Sequence, residues 1–135
     1  AVGQTLPGGR PEVVIVPGDA DGPLAWYAWH SQGWKEHVVA ERIVHGHSLA
    51  AADVDNDGHL DLFVGEMGRP GAGKECKTRI YWGDGRGGFR EQVIDVGKAH
   101  HESRLADLDG DGRLDILGKP YSFETPLLHI WLQRR

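Results

Sequence analysis

Carboxylates at fixed spacing dominate the chemistry open to this chain. Asp53, Asp55, Asp57 and Asp61 occupy positions 1, 3, 5 and 9 of one short segment, with Gly58 at position 6. The pattern returns as Asp107, Asp109, Asp111 and Asp115 around Gly112. Four like charges on so short a loop repel one another, and a hard divalent cation relieves the repulsion. Ca²⁺ suits the donor set, taking about six to eight oxygens at ~2.3–2.6 Å in a flexible shell. Alternate residues would supply side-chain oxygens, and glycine at position 6 permits the sharp turn around the ion. His59 and Arg113, at position 7, would contribute only backbone carbonyls. Two Ca²⁺ sites are therefore expected. They are not EF-hands: position 12 holds Val64 or Gly118 instead of a bidentate Glu, and residues 60–64 and 114–117 read as strands, not helices.

A second group of reactive side chains precedes the loops. His45-Gly46-His47 stands before the first and His100-His101-Glu102 before the second, with His47 and His101 each six residues ahead of their loop's first Asp. Such imidazoles, with Glu102 beside them, could hold a further divalent metal. They could equally act as acid and base, since histidine titrates near neutral pH. His47, His101 and Tyr121 are the candidates if there is catalysis. Two longer loops follow the Asp-rich segments. Their Arg69, Lys74, Lys119 and Tyr121 could grip an acidic sugar or another anion.

These residues need a scaffold of short strands. The chain has 135 residues, with 20 Gly, 7 Pro and 5 Trp, a composition that suits strands joined by tight turns. Its net charge of −5 is more than accounted for by the eight loop aspartates. No basic footprint for nucleic acid is present, and no apolar run approaches a membrane span. Cys76 is the only cysteine, which excludes an internal disulfide.

Asp53 to Asp107 is a shift of 54 residues, and the flanks follow it. Residues 34–39 match 89–94, and Ala25-Trp26-Tyr27, Ile80-Tyr81-Trp82 and Ile130-Trp131-Leu132 form a family of aromatic strands. The unit reads as strand, Asp loop, strand, variable loop, aromatic strand, Gly turn, strand. Residues 12–16, 24–29 and 34–39 would then be the last three strands of a first unit. Ten strands and no helix are expected. Asp19 and Asp21 lie in the wrong part of the unit for a calcium loop and read as a turn. Trp26, Trp34, Trp82, Phe89 and Trp131 are expected to pack between units.

A four-stranded unit of about 50 residues is the signature of a β-propeller blade. With Asp-x-Asp-x-Asp-Gly-x-x-Asp-[Leu/Ile] present at 53–61 and 107–115, the repeats resemble FG-GAP or VCBS repeats, the calcium-binding blades also found in integrin-type propellers. The resemblance implies an all-β fold of four-stranded antiparallel blades, about two and a half of them: part of a blade at 11–44, a full blade at 45–98 and part of a blade at 99–135. It implies that the calcium loops lie on one face, and that His45, His47, His100, His101, Glu102, Arg69, Lys74, Lys119 and Tyr121 lie on the other, where propellers bind ligands. A calcium-stabilised module binding carbohydrate or a protein partner is the leading expectation. A sugar lyase or dehydratase with a metal and histidine mouth, or a structural segment of a larger surface protein, are the alternatives. So few blades imply either a longer propeller or a ring closed by several copies. An extracellular or periplasmic setting, where calcium is abundant, is expected.

Overall fold

A computed structural model describes residues 1–68, 75–120 and 127–134. Among them are eleven strands and no helix: β1 (Val2–Gly3), β2 (Glu12–Ile15), β3 (Asp21–His30), β4 (Gly33–Val44), β5 (Gly46–Ala52), β6 (Asp61–Glu66), β7 (Lys77–Gly83), β8 (Phe89–Val96), β9 (Arg104–Ala106), β10 (Asp115–Gly118) and β11 (His129–Trp131). They form three sheets in sequence order, β1-β2-β3-β4, β5-β6-β7-β8 and β9-β10-β11. Every pairing is antiparallel. The fold is all-β, a stack of three blade-like sheets. No helix among the described residues is long and apolar enough to cross a membrane.

The stack follows from alternation along each strand. β6 is buried at all six positions because the middle sheet is covered on both faces. Leu62 and Val64 point into a core shared with Val14, Leu24, Trp26, Ala28 and Ile43 of the first sheet. Phe63, one residue out of phase, points the other way, into a core with Ile80 and Ile116 that Leu105 and Trp131 of the third sheet join. Each such side chain contributes roughly 1.5–3 kcal/mol by leaving water.

The two outer faces of the stack are apolar and uncovered. Ile15, Trp29, Trp34 and Val38 are exposed on the first sheet, and Leu128, Ile130 and Leu132 on the third. This corrects the expectation for Trp34. It meets Trp29 edge-on, with ring centroids 5.4 Å apart, on the side of its sheet that has no neighbour.

Two further differences concern the first sheet. β1 pairs with β2 through Val2↔Val13 and Gly3↔Glu12, so this sheet has four strands, one more than expected, and it begins before residue 11. β3 and β4 run several residues beyond the expected 24–29 and 34–39. Register shifts at Gly22/Leu24 and Leu24/Ala25 let their ladder continue to Asp21↔Val44.

Candidate cation loops and histidine end

The two Asp loops join β5 to β6 and β9 to β10, and they fold alike. In the first, Asp53 accepts the Asp57 amide on Oδ1 at 3.0 Å and the Gly58 amide on Oδ2 at 2.9 Å. In the second, Asp107 accepts the Asp111 amide at 3.1 Å and the Gly112 amide at 2.9 Å. The position-5 carboxylates cap the position-7 amides, His59 on Asp57 at 2.8 Å and Arg113 on Asp111 at 3.0 Å. Positions 4 and 6 take left-handed backbone in both loops: Asn56 at φ 63° and Gly58 at 87°, Gly110 at 78° and Gly112 at 85°. Asparagine is among the few side chains that accept this region readily, and glycine enters it without strain.

The last aspartate of each loop begins a strand and is 1 % exposed. Asp61 Oδ2 accepts the Val54 amide and Oδ1 the Gly83 amide, both at 2.8 Å. Asp115 accepts the Leu108 and Gln133 amides, also at 2.8 Å. Gly83 comes this close because it lacks a side chain: a Cβ there would lie 2.1 Å from the Leu60 carbonyl oxygen. Burial raises the Asp61 carboxyl above its usual range, and the Asp55 and Asp57 charges add to this against the two amides. At Asp115 burial also acts upward, but the Gln133 and Leu108 amides and the Arg134 charge outweigh it, and the carboxyl falls below its usual range.

Ligand oxygens of Asp53, Asp55 and Asp61 come within 4.8 Å of one another, as do those of Asp107, Asp109 and Asp115. Asp57 and Asp111 stand outside these groups. Three converging carboxylates per loop are hard oxygen donors of the kind calcium selects, and they fit it. The loops also touch: Asn56 Nδ2 donates to the Gly112 carbonyl at 3.2 Å.

A third copy of the loop, which sequence reasoning missed, precedes β2. Glu12 stands where Asp61 and Asp115 stand, and its Oε2 accepts the Thr5 amide at 2.7 Å, seven residues back as in the other two loops. Gly9, three residues before Glu12, has φ 85°, matching Gly58 and Gly112. The other carboxylates are absent. Instead the Gln4 side-chain amide donates to the Leu6 and Gly8 carbonyls at 2.6 and 2.9 Å, drawing together a loop that has no acidic cluster to hold. The recurrent Gly-x-x-acid before a strand was the available signal.

The histidines lie at the opposite end of the sheets, about 20 Å away along β5. There the connections between sheets interlace with those between second and third strands. Met67 and His47 donate their amides to the His45 carbonyl, Gly46 to Pro17, His100 to Glu66 and His101 to Lys119. His45 is a buried elbow with φ 48°. His47 reaches Asp19 with Nε2 at 2.9 Å and stacks on His101, centroids 4.9 Å apart. Side chains from all three sheets thus meet at one mouth. Asp19 was not expected there, because its partnership with His47 is purely tertiary.

His100 does not belong to this face. It is fully buried, with Nε2 2.5 Å from Thr78 Oγ1 and Nδ1 2.7 Å from Ser103 Oγ. His100 enters the core while its neighbour His101, at a bend of the chain, reaches the mouth. Glu102 is exposed, and Lys119 Nζ is turned to the Pro120 carbonyl at 2.9 Å. Arg69, Lys74 and Tyr121 lie outside the described residues.

Beside the mouth, a cleft of about 370 Å³ between the first two sheets is lined by Arg42, Glu66, Glu75, Cys76 and Arg79, among others. Glu66 is its hub: it accepts the Val44 amide at 2.9 Å and the Lys77 amide at 2.8 Å, and it holds Arg79 at 2.8 Å. Arg79 Nη1 and Nε sit at ion-pair distance from Glu66 and Glu91 but off the hydrogen-bond direction.

Residues 9–64 match the family model for an FG-GAP-like repeat. The match runs from the third, acid-poor loop through the first sheet and across the first Asp loop into β6. No curated protein matches the chain. Over residues 9–64 the chain is therefore similar to an FG-GAP-like repeat, set in an all-β stack of antiparallel sheets.

Proposed function

We propose that this chain is a calcium-stabilised blade module whose histidine end binds a carbohydrate or protein partner. The observation that carries the calcium reading is the common fold of the two Asp loops, each converging three carboxylates. Asp53, Asp55 and Asp61 would hold one ion and Asp107, Asp109 and Asp115 the other, with Asp57 and Asp111 and the carbonyls of His59 and Arg113 available to complete the shells. A bound cation supplies the positive charge that lets these carboxylates sit together. Because each loop's last aspartate also takes an amide from the strand-3 end of its sheet, loop and sheet would be stabilised as one unit.

Metal that binds only the folded state stabilises it by about 2.7 kcal/mol at a hundredfold excess over Kd. Thermal unfolding in calcium and in EDTA tests this. The melting temperature is expected to rise in calcium, and less so in Asp53→Ala and Asp107→Ala. Equal melting in both buffers for all three proteins overturns the calcium reading.

The partner reading rests on the mouth, where Asp19, His47 and His101 gather polar side chains from three sheets. It is tested by glycan-array and pull-down binding of wild type against His47→Ala. The uncovered apolar faces at both ends of the stack support its continuation by further blades, from the same chain or from copies of it. Native mass by light scattering separates those cases.

A further inference from the structure

We propose that the two loops are unequal cation sites, the 53–61 loop binding tightly and the 107–115 loop held at weaker affinity by Arg113 and Arg134. The inference rests on the calcium reading above and concerns what this chain's own side chains do to it.

The loops share a backbone but not their surroundings. In the second, the Arg113 guanidinium folds back onto the carboxylate of Asp111. Arg134 Nη1 lies 3.1 Å from Asp109 Oδ2. Positions 3 and 5 are thus already engaged by cations that the protein carries. Among the described residues, no ion pair reaches a carboxylate of the first loop. Its position-7 side chain is His59, whose ring lies against the β7–β8 turn, so close that a Cβ at Gly85 would be 2.4 Å from Nδ1.

The position of Arg134 has a counterpart of opposite charge. Gly83 and Gln133 are equivalent, since their amides hold Asp61 and Asp115. The next residues are then equivalent too: Asp84 beside the first loop, Arg134 beside the second. Asp84 is engaged by the Arg86 and Gly88 amides of its own turn and offers the first loop no positive charge. Its four carboxylates give the first loop a formal charge of −4, with no arginine or lysine among the described residues paired to them. Four carboxylates with two arginines leave the second at −2.

A cation entering the second loop must draw Asp109 from Arg134, must draw Asp111 from Arg113 if that carboxylate is to complete the shell, and must tolerate two positive charges nearby. Solvent moderates the repulsion, because Arg134 is 67 % exposed at its side chain, and each arginine should weaken binding about tenfold. Arg113 Nε is buried without a partner, so its docked position is imperfectly satisfied and a cation can displace it. The second loop is therefore weakened, not closed. Over an intermediate range of calcium the middle sheet would be locked while the third is not.

Calorimetric titration of calcium into the metal-stripped full chain tests this, with Asp107→Ala to assign the sites. Wild type should show two affinities about a hundredfold apart, with Asp107→Ala removing the weaker. Arg134→Ala and Arg113→Ala should each tighten the weaker site about tenfold and leave the tighter unchanged, with circular dichroism confirming the fold. Equal affinities in wild type, loss of the tighter site in Asp107→Ala, or unaltered binding in both arginine variants overturns the inference while leaving the calcium reading intact. Absence of calcium uptake at millimolar concentration overturns both.

Discussion

Acidification should weaken this fold through a single buried residue, His100. Its imidazole lies between Thr78 and Ser103 hydroxyls, stacked on Trp131 and edge-on to Phe63. A hydroxyl can donate or accept, so the neutral ring is satisfied in either tautomer. The charged ring would lose its hydration for two neutral partners. Burial, assisted by nearby His129, pushes the pKa down to about 4, whereas the unfolded chain titrates near ~6.5. Between those values the unfolded state binds more protons than the native state, so stability rises with pH across the window. It is complete above about 6.5, falls as pH drops toward 4, and levels off below. A gap of roughly 2.5 units at ~1.4 kcal/mol each makes the loss about 3 kcal/mol. Guanidinium unfolding in chelator at pH 7 and pH 4 measures it, using His100→Gln as the reference that lacks the titration. Wild type should lose about 3 kcal/mol more than the variant. A His100 ring proton that titrates near pH 6.5 by NMR, or equal losses in the two proteins, refutes the reasoning.

Other substitutions probe the rest of the scaffold. Gly65→Ala should cost about 1–3 kcal/mol, since a Cβ there would lie 2.4 Å from His100 Cγ; unchanged chemical unfolding would contradict the close approach. Glu66→Ala leaves the buried Arg79 to Glu91 alone and strands two backbone amides, and a loss of about 3 kcal/mol is expected in urea titrations. A loss below 1 kcal/mol would mean that water replaces the carboxylate. Gln4→Ala removes the amide that bridges Leu6 and Gly8 at an exposed site, so it should cost about 1 kcal/mol or less. That cost should be equal in calcium and in EDTA, and a calcium-dependent cost would mean the third loop also takes an ion.

What could be read from the sequence was whatever the chain writes locally. Asp-x-Asp-x-Asp-Gly-x-x-Asp places four carboxylates and a left-handed glycine within nine residues, so the loop needs no tertiary information to be recognised. The 54-residue shift likewise exposed the repeat and, with it, the strand order of the two later sheets. β1 and its loop escaped because an amide stands where the others gather carboxylates. Gln4 leaves no acidic pattern, and only Gly9 and Glu12 keep the old spacing.

The histidine end shows the limit most clearly. Equivalence of His47 and His101 was legible, and the two rings stack as equivalent positions of neighbouring sheets can. That His100 turns inward while His101 does not depends on Thr78, which is 22 residues away and supplies the hydroxyl that a buried imidazole requires. Asp19 reaches His47 from a separation of 28 residues, across the boundary between two sheets. A loop of converging carboxylates is written in one segment; an end that three segments assemble is written in three, and their spacing along the chain carries no trace of their meeting. For that reason the Asp loops are the part of this protein that can be recognised in other chains by motif alone, whereas the histidine end cannot.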